Sequence, residues 1–234
     1  GTIVLNGNGS SVLDPGSTAV FNHLTLNGTG TVDLQNNLTV NGNLNLNQSA
    51  GGTFNTNGWN VTANGAFSQT GGSFNLCCGT HTFKGNITVS PGATFNSTGS
   101  SAFLTNSAAV AVNMALGQKF NNLTLNGTGT VTLNNDLTVN GNLTLNQPGG
   151  TFNTNGFRLM VSGDFTQTSG TFNASAGIHS LQGNFTVVGG ATFIQGTSTI
   201  TMDNGADANI SVTAGVTLNH LTLTGLGNVI LQSN

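Results

Sequence analysis

Apolar and polar residues alternate in short runs along most of this chain, and Gly and Asn separate the runs. In DLTVNGNLTLNQPGGTFNTNG, residues 136–156, the segments LTV, NLTL and TFNT each place an apolar side chain at every second position, with NG or Gly-Gly between them. A period of two bounded by turn residues predicts short β-strands. Helix fits poorly, because Gly recurs every few residues and the many β-branched Thr and Val weaken it throughout.

The strands recur at fixed spacing. A Phe preceded by small residues stands at Phe54, Phe74 and Phe95, in steps of 20 and 21, and again at Phe152, Phe172 and Phe193, also in steps of 20 and 21. A Gly followed by a small or amide residue and then an apolar one gives a second series, Gly42, Gly65 and Gly85, then Gly141, Gly163 and Gly183. A unit of 20–22 residues is nested in a longer one, since Phe21 to Phe120 is 99 residues and Phe120 to Leu218 is 98. Five short units make one long unit, which sets super-repeats near 21–119 and 120–217 and a partial third at 218–234. The stretches 21–47 and 120–146 agree at 22 of 27 positions and differ at His23/Asn122, Asp33/Thr132, Gln35/Asn134, Asn37/Asp136 and Asn45/Thr144. Each difference falls beside Leu or Val, hence on the outward face, while the inward Phe, Leu and Val repeat in place.

Three short strands per unit, each turning through a Gly or Asn corner, predict an all-β fold, a right-handed parallel β-helix or β-solenoid. One coil cannot bury its apolar face alone, so neighbours must stack about 4.8 Å apart. Residues 1–234 are read as one continuous solenoid of about a dozen coils, cut from a longer chain because both ends fall inside recognisable strands. Stacking predicts inward ladders of Phe54, Phe74 and Phe95 and of Phe152, Phe172 and Phe193. At the Gly corner it predicts columns of Asn43, Ala66 and Asn86 and of Asn142, Asp164 and Asn184, with amides hydrogen-bonded along the axis. The Ala-rich residues 101–118 take the fifth place of the first long unit and are read as a coil with looser corners.

Composition narrows the function. Only 4% of the residues are charged, against roughly a quarter in an average soluble domain. Asn, Thr, Ser and 35 Gly carry the polarity, and there is no Glu. A net charge of −3 without a basic patch argues against nucleic acid as a partner. No apolar run reaches the length of about 18 residues that a membrane span needs.

Candidate chemistry is sparse. Asp14, Asp33, Asp136, Asp164 and Arg158 lie in separate coils, and the acids occupy positions that are Asn, Thr or Ala in another copy, so no catalytic residue is assigned and no enzyme activity or cofactor is expected. The densest acidic spot, DNGAD, makes Asp203, Asn204 and Asp207 a weak Ca²⁺ candidate beside the simpler reading of a solvated turn. His23 and His220, and likewise His81 and His179, occupy equivalent places and are read as surface residues. Strand alternation puts one of Cys77 and Cys78 inside and the other outside, as a small buried hydrophobe beside a free thiol, with a vicinal or interchain disulfide as the alternative. The N-x-[ST] tripeptides at Asn37, Asn60, Asn86, Asn142 and Asn184 follow from strands that read N-L-T and are weak glycosylation signals. Outward Asn/Thr rows, as at Asn37/Thr39 and Asn142/Thr144, suit ice or glycan, although an ice face requires one Thr pair repeated in every coil.

The phrases NLTLNGTGTVTL, DLTVNGNLTLN and GGTFNTNGF resemble the tandem stretches of giant bacterial surface adhesins, the filamentous-haemagglutinin-like and autotransporter-like proteins with β-helical stalks. The resemblance implies an extracellular, structural or adhesive stalk or filament. Its partners are then neighbouring coils, further copies of itself, or surface glycans. An ice-binding solenoid and a carbohydrate-active enzyme are the alternative expectations.

Overall fold

Alternating strands and glycine corners wind this chain into stacked turns. The computed structural model describes residues 1–232, and over them the chain runs through 29 strands and no helix. Strands pair in parallel with strands one turn away, in about 11 coils of about 21 residues, so the fold is a β-solenoid. The chain divides into two compact units, residues 1–104 with 111–121, and residues 105–110 with 122–234.

In the first unit three strand columns form the walls. One carries Ile3, Leu24, Leu44, Phe67, Ile87 and Val112 in register. The second carries Val32, Phe54, Phe74 and Phe95, and the third Leu38, Val61, His81 and Ala102. The predicted aromatic ladder is present. Phe54 and Phe74 stack with centroids 5.2 Å apart and planes 2° from parallel, and Phe95 meets Phe74 edge-on at 5.9 Å.

The second unit repeats this plan. Leu123, Leu143, Phe165, Phe185, Ile210 and Leu231 form one column. Val131, Phe152, Phe172 and Phe193 form another, with Phe152 and Phe172 stacked at 5.5 Å and Phe193 edge-on to Phe172 at 5.5 Å. Leu137, Leu159, His179, Ile200 and Leu221 form the third. Two strands, Leu143–Asn153 and Phe165–Asn173, continue around a corner and pair on two walls. The long sequence period does not close on a whole number of coils. Four coils carry Leu123 to Ile210 and a fifth carries it to Leu231, whereas the copy of Leu123 one period on, Leu221, stands in a different column. The period is one strand short of five coils, so the copy that begins at residue 218 presents its residues on a different wall from the copy before it.

Burial follows the alternation. Each of the ten residues at which the two 27-residue copies differ is half-buried or exposed, and the apolar residues beside them are buried. The Ala-rich segment forms strands Ser101–Leu104 and Val110–Met114, in which buried and half-buried residues alternate without a break.

Candidate functional site

The residue that opens a strand at each Gly corner sits directly below the backbone N–H of the next coil. In the second unit this builds an unbroken series. Asn122 Oδ1 accepts the N–H of Asn142, Asn142 Oδ1 that of Asp164, Asp164 Oδ1 that of Asn184 and Asn184 Oδ1 that of Asn209, at 2.8–2.9 Å. In the first unit Asn43 accepts from Ala66 and Asn86 from Ala111, while Ala66 has no side-chain acceptor to continue the row. The predicted columns therefore exist, but most of their bonds run from side-chain oxygen to backbone N–H. Side chains also bond one another along the rows: in the corner column Asn184 Nδ2 donates to Asp164 Oδ1 at 2.9 Å and Asn209 Nδ2 to Asn184 Oδ1 at 3.1 Å, and on a flat wall Asn55 donates to Asp33 and Asn75 to Asn55, both at 2.7 Å.

What this position requires is an acceptor of suitable reach, and that explains the substitutions between copies. His23 Nδ1 accepts the N–H of Asn43 at 2.9 Å, the task Asn122 performs in the later copy. Asn37 accepts from Asn60, and its counterpart Asp136 from the backbone of Arg158. Asn37, Asn60, Asn86, Asn142 and Asn184, each the first residue of an N-x-[ST] tripeptide, all serve in these rows, with Asn60 accepting from Thr80.

The glycines of the corner are set by the same closeness. A Cβ on Gly65 would lie 2.6 Å from the carbonyl of Gly42, and one on Gly183 would lie 2.5 Å from that of Gly163. No left-handed backbone is involved at these two positions; the next coil occupies the space.

His81 and His179 are not surface residues. Both are fully buried, each in an inward column. Val61 N–H donates to His81 Nδ1 at 3.2 Å, so Nε2 carries the proton and donates to the Leu76 carbonyl at 3.0 Å. His179 does the same between Leu159 N–H and the Ala174 carbonyl, at 3.2 and 2.8 Å. Burial pushes both imidazoles below their ordinary value, opposed by the bond to the carbonyl. Alternation held the signal, because His81 and His179 stand two residues before the inward Phe83 and Leu181. His23 is half-buried and His220 exposed.

A second buried polar set escaped the sequence reading. Gln48, Gln69, Gln147 and Gln167 turn inward at the corner that precedes each Phe and donate to carbonyls, as Gln69 does to Thr94 at 3.0 Å and Gln167 to Thr192 at 2.9 Å. Their mark in the sequence is a Gln five or six residues before Phe, followed by Gly. Asn204 belongs to the same class: it is buried, and its Nδ2 donates to Ala206 O at 2.7 Å and Asn228 O at 3.2 Å. Asn106 makes equivalent bonds to Ala108 and Thr130 without a carboxylate nearby in sequence. Asp207 Oδ1 accepts both the backbone and side-chain N–H of Asn228, and Asp203 accepts from Thr224. The three Ca²⁺ candidates thus each hold the coil together. Among the described residues no three His, Cys, Asp or Glu side chains cluster as metal ligands.

The other acids are engaged likewise. Asp14 accepts from Asn36 at 2.6 Å and from Gly16 N–H at 2.9 Å, which hold its carboxyl below the ordinary value. Cys77 and Cys78 depart from the expected alternation, since both are exposed, at a turn between strands Ser73–Asn75 and Thr80–Phe83, with their Sγ atoms 2.8 Å apart.

Outward threonines also align. In the first unit Thr31, Thr53, Ser73 and Thr94 stand in register beside Asp33, Asn55, Asn75 and Asn96. In the second, Thr124, Thr144, Thr166, Thr186 and Ser211 make a continuous row. No family model, curated protein or solved structure matches the chain.

Proposed function

We propose that this chain is a structural segment of an extracellular surface protein or filament, in which the solenoid serves as a stiff stalk with an adhesive exterior. The observation that carries the reading is the unbroken series Asn122, Asn142, Asp164 and Asn184, each accepting the backbone N–H of the following coil. Side chains that nature commonly uses for recognition or catalysis are spent here on joining coil to coil. Such bonds resist separation of the coils along the stacking axis, which is the property a stalk needs. Sparse charge and outward Asn and Thr leave a neutral polar exterior suited to glycans or to neighbouring solenoids. The adhesin character rests on the likeness of the tandem phrases to surface-protein stalks. On this reading the coils carry no turnover of their own.

Antibody raised against the 234-residue chain and applied to intact and to permeabilised source cells tests the location. Labelling of intact cells is the expected result, and labelling only after permeabilisation contradicts the proposal. Cleavage of a polysaccharide by the purified chain, lost on replacing Asp136, Asp164 and Arg158 together, contradicts the absence of catalysis.

One observation favours a second reading, binding to an ice lattice: the Thr31, Thr53, Ser73 and Thr94 row repeats one residue per coil beside a row of Asp and Asn. Thermal hysteresis in a solution of the chain, abolished by Thr53→Lys, distinguishes it from the stalk.

A further inference from the structure

We propose that Cys77 and Cys78 form a thiol–disulfide exchange site, which small-molecule disulfides convert to a vicinal disulfide at one exposed corner of the first unit. The inference is independent of the stalk reading. Both thiols are exposed, and the sulfurs already touch at 2.8 Å, so the partner of each is the other. The corner backbone arranges this. Cys78 adopts a left-handed conformation, φ 56°, which turns its side chain to the side of Cys77 instead of the opposite face that an extended strand imposes. Gly99, on the next coil, leaves room above, where a Cβ would lie 3.7 Å from Cys78 Sγ.

The corner does not need the thiols to fold. In the second unit the corresponding loop reads ASAGIH against LCCGTH, with Ser175 and Ala176 in place of the cysteines, and its left-handed residue is Ser175, φ 56°, one position earlier than Cys78. Both loops close through the same bond, from the histidine Nε2 to the carbonyl of Leu76 or Ala174. A feature absent from the equivalent corner and held in contact without a packing role points to chemistry of the sulfurs themselves.

The step balances with a small disulfide such as oxidised glutathione as oxidant. One cysteine thiolate attacks a sulfur of the small disulfide, forms a mixed disulfide and releases one small thiol. The second thiolate then attacks the protein sulfur of that mixed disulfide, closes the Cys77–Cys78 bond and releases the other small thiol. Two protein thiols are oxidised, one small disulfide is reduced, and the two protein protons end on the released thiols. Contact between the sulfurs makes the second attack intramolecular and fast relative to attack by another chain. The hydrogen bond shared with Cys78 pushes the Cys77 thiol up from its ordinary value, so the reaction accelerates as pH rises. Adjacent Cα atoms lie about 3.8 Å apart, closer than the 4.4 Å or more usual for a disulfide, which makes the product strained and easily reduced.

The test incubates the full 234-residue chain with oxidised glutathione and follows free thiols, intact mass and covalent size. The expected result is loss of both thiols together, with the mass of two hydrogens lost, no retained glutathione and no covalent dimer, all reversed by dithiothreitol. The variant Cys78→Ser should stop at one glutathione per chain on Cys77. The double variant Cys77→Ser/Cys78→Ala, which copies the second unit's corner, should fold and remain inert. Retained glutathione on the unsubstituted chain, covalent dimers, or two thiols left free each overturn the proposal.

Discussion

Asn142 and Asp164 perform one task with different side chains. Each offers an oxygen to the backbone N–H of the coil that follows, at 2.9 and 2.8 Å. Asp164→Asn should therefore leave stability nearly unchanged. Asn142→Leu should cost about 0.5–1.5 kcal/mol, the net worth of one hydrogen bond, because the N–H of Asp164 loses its partner. Urea unfolding of the two variants checks this, and equal midpoints would remove the acceptor role. That an Asn stands at the corner was plain from N-G-N-L phrases. That its oxygen takes the backbone N–H of the next coil was not, since alternation fixes a side chain's face and leaves the partner open.

The buried histidines give a pH dependence. Burial holds His81 and His179 below their ordinary value of 6.5 in the folded chain. The unfolded chain then binds protons first as pH falls, so the contribution of the neutral rings is complete above about pH 6.5 and is lost as pH drops through the depressed folded values. Protonation of Nδ1 sets an N–H against the N–H of Val61 or Leu159. Denaturation midpoints between about pH 7.5 and about pH 5 should fall for the native chain. The double variant His81→Gln/His179→Gln should show a flatter profile; an unchanged slope contradicts the assignment.

At the scale of the strand and its corner, core and glycine carry different constraints. Phe152 is fully buried between Val131 and Phe172 in register, and Phe152→Ala should cost about 3–5 kcal/mol through the cavity it leaves. Thr144→Asn, which copies the outward Asn45, should be nearly silent. Gly65→Ala should be damaging without removing any contact, since the new methyl meets the Gly42 backbone. Thermal denaturation of the three variants separates these cases, and a Gly65→Ala variant as stable as the parent would mean that the coils stack less closely. The strands, their faces and the Phe ladders were legible because period two and a repeat of 20–22 residues are strong signals. The inward Gln residues were not, because a Gln before Gly reads as an ordinary turn until its amide is seen to satisfy carbonyls inside the corner. The histidines were misplaced for a related reason: their polarity outweighed an alternation that put them inside.

For the whole molecule, the sequence shows two periods, and only the short one is the coil. The 98-residue period stops one strand short of five coils, so Leu221, the copy of Leu123, returns on another wall. Polar side chains and core ladders join each coil to its neighbours, so stability is a sum of nearest-neighbour contacts. Single-molecule extension of the chain held at its two ends tests it most directly. Successive rupture steps of about 70 Å are expected, the extended length of about 21 residues at roughly 3.5 Å each. Release of almost the entire chain in one event would contradict it.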